Sequence, residues 1–291
     1  MMCHSKIDLH MHTAVSDGTD RPEEIIARVR EAEICLFSVT DHDAIRGCTA
    51  LVKALQTGDP AFLTGAEFSC KDEEGQYHIL GYGYDPGAHA IRELVEKGHA
   101  LRMGKLQKRL DFLRDRFGFT FCQEDIQSLF ALDNPGKPHV GNLMVRYGYA
   151  ATKEIAIRDY LNQYHAGSAY VRPEYAVQTI LDAGGIPVLA HPVFGRGDEI
   201  IVGEDMDRRL RHLMAFGLKG VEAFYSGFTP KLIAQMLAFA EKYALYVTAG
   251  SDYHGSNKLV HLGDTGLPDP TEYPSGLLRF LEAADSRIVR S

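Results

Sequence analysis

Several things are scarce in this chain of 291 residues. It has no tryptophan, and no apolar run approaches the roughly 20 residues that would span a bilayer. Its five cysteines (Cys3, Cys35, Cys48, Cys70 and Cys122) are scattered, odd in number and without a Cys-x-x-Cys pair. That argues against a disulfide framework or a thiolate metal knuckle, and the cysteines read as reduced packing residues of a cytoplasmic protein. Positive charge is also short, with 31 Lys and Arg against 39 Asp and Glu and a net charge of −8. A broad footprint for nucleic acid or an anionic membrane is therefore not expected. A phosphorylated ligand would have to be met locally, by metal ions and a few Arg or Lys. No repeat or low-complexity segment is evident, and with a His-x-His segment starting so early no cleavable signal peptide is expected before it.

What is present begins with that segment. In Ile7-Asp8-Leu9-His10-Met11-His12, apolar residues alternate with polar ones at a period of two, so the spacing predicts a strand with His10 and His12 on one face. The turn Ser16-Asp17-Gly18 follows, then a helix entered through Asp20 as cap and Pro22 in its first turn. A strand over Cys35–Thr40 ends in Asp41-His42-Asp43, and a helix over Ile45–Leu55 leads to a strand over Ala61–Phe68 that carries Glu67. A further strand, Gln76–Tyr84, carries His78. From 98 to 167 the patterns are helical, over Ala100–Phe117, Glu124–Leu132, His139–Tyr147 and Glu154–Tyr164. This block reads as an inserted helical subdomain or lid. Alternation of strand and helix then resumes: Pro173–Ala183, the strand Ile186–Ala190 before His191, a helix over Asp205–Phe216 and the strand Gly220–Tyr225. The helix Pro230–Tyr243 and the strand Leu245–Gly250 before Asp252 and His254 complete the series. About seven strands in this rhythm predict an α/β fold with a parallel barrel, whose chemistry sits at the C-terminal strand ends.

His10, His12, Asp17, His42, Glu67, His78, His191, Asp252 and His254 all fall at such ends or on the strands beside them. Taken singly, each could be a capped turn or a satisfied core residue; their joint occurrence carries the metal reading. Imidazoles and carboxylates without thiolates suit Zn, Mn or Fe(II). The set is too large for one ion and suffices for two or three if a carboxylate such as Glu67 bridges. Such a site clamps a phosphoryl group and brings the pKa of bound water toward neutrality.

The motifs Asp8-Leu9-His10-Met11-His12 with Ser16-Asp17-Gly18, Thr40-Asp41-His42-Asp43, Gly65-Ala66-Glu67, His78-Ile79-Leu80-Gly81-Tyr82, Leu189-Ala190-His191-Pro192 and Gly250-Ser251-Asp252-Tyr253-His254-Gly255 resemble, in order, those of the polymerase-and-histidinol-phosphatase (PHP) family. The resemblance implies a distorted (β/α)7 barrel from 1–97 and 168–291 with 98–167 inserted, and a site of two or three divalent ions. It assigns His10, His12, Glu67 and Asp252 to one ion, and Glu67, His78 and His191 to a second. Asp17, His42 and His254 fall to a third; Asp17 stands where some members carry histidine. Asp17, Glu67 and His254 are the residues expected to act in the reaction itself. The insertion resembles the branch acting on nucleotides and related small phosphates. There Lys137-Pro138-His139 is similar to an Arg-Pro-His element near the phosphate, with Lys137 keeping the charge but losing the bidentate fork. Arg102, Lys105, Arg109 and Arg196 are further candidates for phosphate contact.

The expected activity is metal-dependent hydrolysis of a small organic phosphate by a metal-bound hydroxide, the substrate being a nucleoside monophosphate, a 3′,5′-bisphosphate or a phosphosugar. A five-membered cyclic sugar phosphate and trimming of oligonucleotide ends are alternatives, with short oligonucleotides disfavoured by the acidic balance. An amidohydrolase also opens on His-x-His, but no lysine at a matching strand end is present to bridge its metals. A partner-binding barrel with purely structural metals is disfavoured by the full ligand set. No membrane partner is expected.

Overall fold

The computed structural model describes residues 6–132, 134–165, 170–195 and 199–290. In chain order its elements are β1 (Lys6–Asp8), α1 (Pro22–Glu31), β2 (Ile34–Phe37), α2 (Arg46–Ala54), β3 (Ala61–Leu63), β4 (Gly65–Lys71), β5 (Gln76–Tyr82), α3 (His89–Phe117), α4 (Gln123–Phe130), α5 (Lys137–Arg146) and α6 (Lys153–Ile155), followed by α7 (Pro173–Asp182), β6 (Ile186–Leu189), α8 (Gly203–Ala215), β7 (Gly220–Tyr225), α9 (Pro230–Lys242), β8 (Tyr246–Gly250), α10 (Ser275–Ala284) and β9 (Ile288–Val289). The architecture is mixed α/β. One sheet has the order β1-β2-β3-β9 and the other β4-β5-β6-β7-β8.

The sheets meet along two seams of isolated bridges. At one, Leu9 N donates to Ala249 O (2.9 Å), Asp252 N to His10 O (2.8 Å) and His12 N to Tyr253 O (2.8 Å). At the other, His42 pairs with Glu67, and Asp43 N donates to Glu67 O at 2.9 Å. The chain crosses between sheets at Thr64-Gly65, which divides the single strand expected over 61–68. Gly65 is required there, because a Cβ would lie 2.2 Å from Ser38 Oγ. The expected 7–12 strand is likewise shorter as a ladder, ending at Asp8; residues 9–12 instead bond the end of β8 and the loop after it.

The expectation of an all-parallel sheet is corrected. β5 runs antiparallel to both β4 and β6, and β9 antiparallel to β3. Among the described residues no continuous strand order closes into a barrel.

The helices of 98–167 form as expected in number, with one difference of kind. α3 is a single helix of 29 residues that starts at His89, so Gly98 lies inside it. The segment expected as a helix over 154–164 is one α-turn, then a π-helical turn Ala156–Tyr160 and a 3-10 turn Leu161–Gln163. Leu106, Leu110 and Leu113 of α3 pack with Leu129, Val140, Leu143, Met144, Ala156 and Leu161 in an apolar cluster of their own. No helix among the described residues is long and apolar enough to cross a membrane. Cys48, Cys70 and Cys122 are free thiols, whereas Cys35 is disulfide-bonded, which corrects the expectation of reduced cysteines throughout. Cys3 lies outside the described residues.

Candidate metal centre

The extended run after β1 aims both imidazoles at one carboxylate. His10 Nε2 and His12 Nε2 lie 3.3 and 3.2 Å from Glu67 Oε2, and their rings are 5.2 Å apart. The spacing of two thus does what a strand would have done, although the ladder has ended. Glu67 is the hub. Its Oε2 also faces His42 Nδ1 at 3.1 Å, and its Oε1 faces His78 Nδ1 at 2.8 Å and His191 Nε2 at 3.0 Å. From β8 onward, Asp252 Oδ1 lies 3.3 Å from His12 Nε2 and 3.6 Å from His10 Nε2. His254 Nε2 is 3.3 Å from Asp17 Oδ1, and His42 Nε2 is 3.9 Å from Asp17 Oδ2.

These separations suit shared ions. With metal–nitrogen bonds of about 2.0–2.1 Å, two ligands on one ion sit about 3 to 3.4 Å apart. Three groups of donor atoms lie mutually close enough to hold an ion: His12, Asp17, His42 and His254; His10, His12 and Glu67; and His42, Glu67 and His78. His10 Nε2, His12 Nε2, His42 Nδ1 and Asp17 Oδ1 are buried without any hydrogen-bond partner. Buried polar atoms are rarely left unpaired unless something else engages them. The donor set and its orphaned atoms fit divalent cations.

Electrostatics and backbone agree that the cluster is held, not merely gathered. Burial opposes the charge on Glu67, yet the imidazoles of His42, His78 and His10 outweigh it and hold the carboxyl well below its ordinary range. Burial also opposes protonation of His12, but Asp252 and Glu67 push it up to about 9. Asp252 and His191 adopt left-handed backbone at φ 57° and 27°, strain of the sort found where a site over-determines the chain. Gly250 permits the approach of β8 to the first histidine, since a Cβ there would sit 2.1 Å from His10 Cβ.

A supporting layer orients the cluster, and sequence reasoning missed it. Glu222, fully buried in β7, accepts from His10 Nδ1 at 2.9 Å and from the His191 backbone N–H at 2.7 Å. Its signal was legible: an acid in the apolar run Gly220–Tyr225, the same oddity that singled out Glu67. Asp8 accepts from the Ser251 and Gly263 amides (2.9 and 2.8 Å); burial pushes its carboxyl up to about 6. Asp41 takes Thr13 N, Thr13 Oγ1 and Ser16 Oγ at 2.7 to 2.8 Å, fixing the turn that presents Asp17. Asp20, expected as a helix cap, instead accepts from Tyr253 OH at 2.6 Å and pairs with Arg28.

A cavity of about 390 Å³ opens from Asp17, His42 and His78 onto α3, residues 135–138, and Asn162, Tyr164, His165 and Tyr170. Arg102, Lys105 and Arg109, three and four residues apart on α3, share one face and line it. Arg102 is committed to Asp43 (2.5 Å) and Ser69 (3.0 Å). Lys105 lies over the Tyr170 ring at 3.8 Å and Arg109 over the Tyr164 ring at 5.9 Å. Neither has an acidic partner within ion-pair distance among the described residues, and Arg109 Nε is buried and unpartnered. Burial and the neighbouring Arg102 bring Lys105 down to about 7. Lys137 also lines the cavity, with Nζ 2.6 Å from Asn162 Oδ1. His139 does not line it; its Nδ1 accepts from Gly136 N at 3.0 Å. Arg196 lies outside the described residues.

A mixed α/β scaffold that gathers imidazoles and acids around one buried glutamate defines a class, and the PHP domain profile matches residues 8–171. The chain belongs to the PHP family, as its motifs led us to expect. Among similar proteins, a 3′,5′-nucleoside bisphosphate phosphatase of Chromobacterium violaceum is 29% identical over 86% of this chain and 87% of its own length. A phosphoribosyl 1,2-cyclic phosphate 1,2-diphosphodiesterase of Eggerthella lenta is 28% identical over 88% and 97%. A 5′-3′ exoribonuclease of Haemophilus influenzae is 27% identical over 89% and 93%. In three dimensions the chain is similar to a Chromobacterium violaceum protein called an amidohydrolase, solved with bound sulfate and no metal (TM-score 0.81, 26% identity, 98% of both chains). It is also similar to a Bifidobacterium adolescentis protein classed as a metal-dependent phosphoesterase (TM-score 0.77, 26% identity, 95% and 96%).

Proposed function

We propose that the chain is a metal-dependent phosphoesterase that hydrolyses a small organic phosphate at the Glu67 cluster. The observation that carries this is the opening of one cavity onto both the donor cluster, through Asp17 and His42 with their orphaned buried atoms, and the buried cations Lys105 and Arg109, which have no acidic partner within ion-pair distance among the described residues. The ligand sets are His10, His12, Glu67 and Asp252; Glu67, His78 and His191; and Asp17, His42 and His254, with Glu67 bridging. Imidazole and carboxylate donors favour Mn, Zn or Fe. Divalent ions held there supply Lewis-acid stabilisation of the phosphoryl oxygens and a nucleophilic water at neutral pH. Glu67, Asp17 and His254 hold the reacting end, and the face of α3 draws the anionic substrate in from the other side. The two sheets and their seams would then be a distorted (β/α)7 barrel, and 98–167 a substrate-binding subdomain of a cytoplasmic enzyme.

Two uncompensated cations beyond Arg102 favour a substrate with a second anionic group, such as a 3′,5′-bisphosphate, over a simple monoester. A cyclic sugar phosphate and the 5′ end of a short oligonucleotide are the alternatives that the names of the relatives support. Amide hydrolysis is disfavoured, because the lysine that reaches the edge of the cluster, Lys258, is held as an ammonium on Asp252 Oδ2, the oxygen turned away from the other donors. The test is release of inorganic phosphate from a nucleotide and phosphosugar panel by metal-loaded protein. Turnover should be lost with chelator and fall on the order of 10³-fold in Asp252→Ala, several kcal/mol of charge stabilisation. Full turnover after metal is stripped, or turnover of amides alone, would overturn the assignment.

A further inference from the structure

Asp252 has two carboxylate oxygens with different surroundings. Oδ1 faces the cluster, toward His12, His10 and His254. Oδ2 faces away and is held by two donors: Lys258 Nζ at 2.6 Å and Tyr225 OH at 2.8 Å. They come from separate elements, Tyr225 from the end of β7 and Lys258 from the loop after the 3-10 turn Gly255–Asn257. The backbone of Asp252 is pinned as well, its N–H donating to His10 O at 2.8 Å while φ stands at 57°. That conformation is costly for a residue with a Cβ, and the side-chain contacts compensate for it.

We infer that Lys258 and Tyr225 are positioning residues, which fix Asp252 as a one-oxygen ligand and keep its second oxygen out of the chemistry. With Oδ2 saturated by an ammonium and a phenol, Asp252 turns Oδ1 alone to the cluster. A carboxylate engaged this way is also a poor proton acceptor, so Asp252 serves as a ligand and not as a general base. The lysine further draws charge from the carboxylate, which leaves an ion bound at Oδ1 more electrophilic. This partner layer is worth about 10–100-fold in metal affinity where it has been removed from comparable sites. Lys258 is not among the residues that line the cavity beside α3.

The inference rests on the ligand role proposed for Asp252, and its test reads metal binding apart from turnover. Lys258→Met, Lys258→Arg and Tyr225→Phe would be loaded with Mn(II) or Zn(II), dialysed against graded chelator, and assayed for metal per chain by mass spectrometry and for phosphate release. Lys258→Met should retain metal about 10–100-fold less tightly, with kcat falling and KM for the ester within about twofold. Lys258→Arg should recover most of the retention, since a guanidinium restores a charged donor to Oδ2. Tyr225→Phe, which keeps the ring packed against His191, Phe194 and Phe228, should show a smaller loss in the same direction. It decides the matter if Lys258→Met fails to fold. Unchanged metal retention in both Lys258→Met and Tyr225→Phe would overturn the inference, as would a loss confined to KM. A parent protein that binds no metal and cleaves no ester would instead overturn the proposed function.

Discussion

At one end of the cavity, the imidazoles of His10, His12, His42, His78 and His191 face Glu67, with Asp17 and Asp252 beside them, and buried Glu222 backs His10 from behind. Along the other wall, a single helix presents Arg102, Lys105 and Arg109, and among the described residues only Arg102 is answered by a carboxylate. Both regions bury charge, which is expensive unless a partner is supplied. They differ in the partner each needs: the strand-end cluster wants cations, the helix face an anion. A phosphate ester bound to divalent metal supplies both at once. The two walls therefore specify one ligand between them more narrowly than either does alone.

The largest effect should come from removing the hub. Glu67→Gln keeps the volume but takes the charge that His10, His12, His42, His78 and His191 all face. We expect phosphate release to fall on the order of 10³-fold or more, with metal content per chain dropping in parallel. Because metal binds only the folded chain, the variant should also lose most of the melting-temperature rise that added metal gives the parent. Retention of full metal content and turnover would dissolve the contrast between the walls.

The helix face should answer differently. Arg109→Met removes a buried cation that has no counter-ion among the described residues, so the folded chain should gain about 1 kcal/mol or more even as function suffers. Affinity for a bisphosphate should fall by about 10–100-fold, the worth of one charged hydrogen bond in a desolvated site. Melting curves and steady-state kinetics on the same preparation would show the opposed signs. A loss of both stability and affinity would mean that Arg109 has a structural partner after all.

Lys105 gives the comparison a pH dependence. Its pKa of about 7 in the folded chain lies below its ordinary 10.5. Between those values the unfolded chain binds the proton and the folded chain does not, so this group's contribution to stability rises with pH across that window and its penalty is complete below pH 7. Anion binding works in the reverse direction, because it needs the ammonium. KM for a bisphosphate should therefore rise as pH passes upward through about 7, by at most about tenfold per unit, and Lys105→Met should flatten the profile. A profile unchanged in Lys105→Met would assign the dependence to another group.

Much of this was legible before any coordinates. The ligand motifs stand in the sequence because each is short, contiguous and at a strand end, and two of them are acids or imidazoles in otherwise apolar runs. Glu222 obeys the same rule and could have been found. The antiparallel β5 could also have been read, since only Asp72–Gly75 separates it from β4 and a parallel crossover needs about a dozen residues or more. Other features had no local signature. Arg102 looks like Lys105 and Arg109 in one dimension; only the fold places Asp43, in left-handed backbone at φ 48°, against it. Lys258 sits in a polar stretch that reads as ordinary loop, and its meaning depends on where Asp252 turns its second oxygen.

The smallest expected effect is the control that gives the others their force. Arg158, in the π-helical turn Ala156–Tyr160, has a side chain 72% exposed and pairs with its neighbour Asp159. Exposed pairs of this kind contribute about 0–1 kcal/mol, because water solvates both charges almost as well when they part. Arg158→Ala should leave phosphate release and bisphosphate KM within about twofold and stability within about 0.5 kcal/mol. It removes the same formal charge, from the same helical stretch 98–167, as Arg109→Met. If net positive charge near the cavity were what drew the substrate, the two substitutions would weaken binding comparably and added salt would erase the difference. If the determinant is a desolvated cation without a partner, only Arg109→Met will register, and it will do so at low and high ionic strength alike.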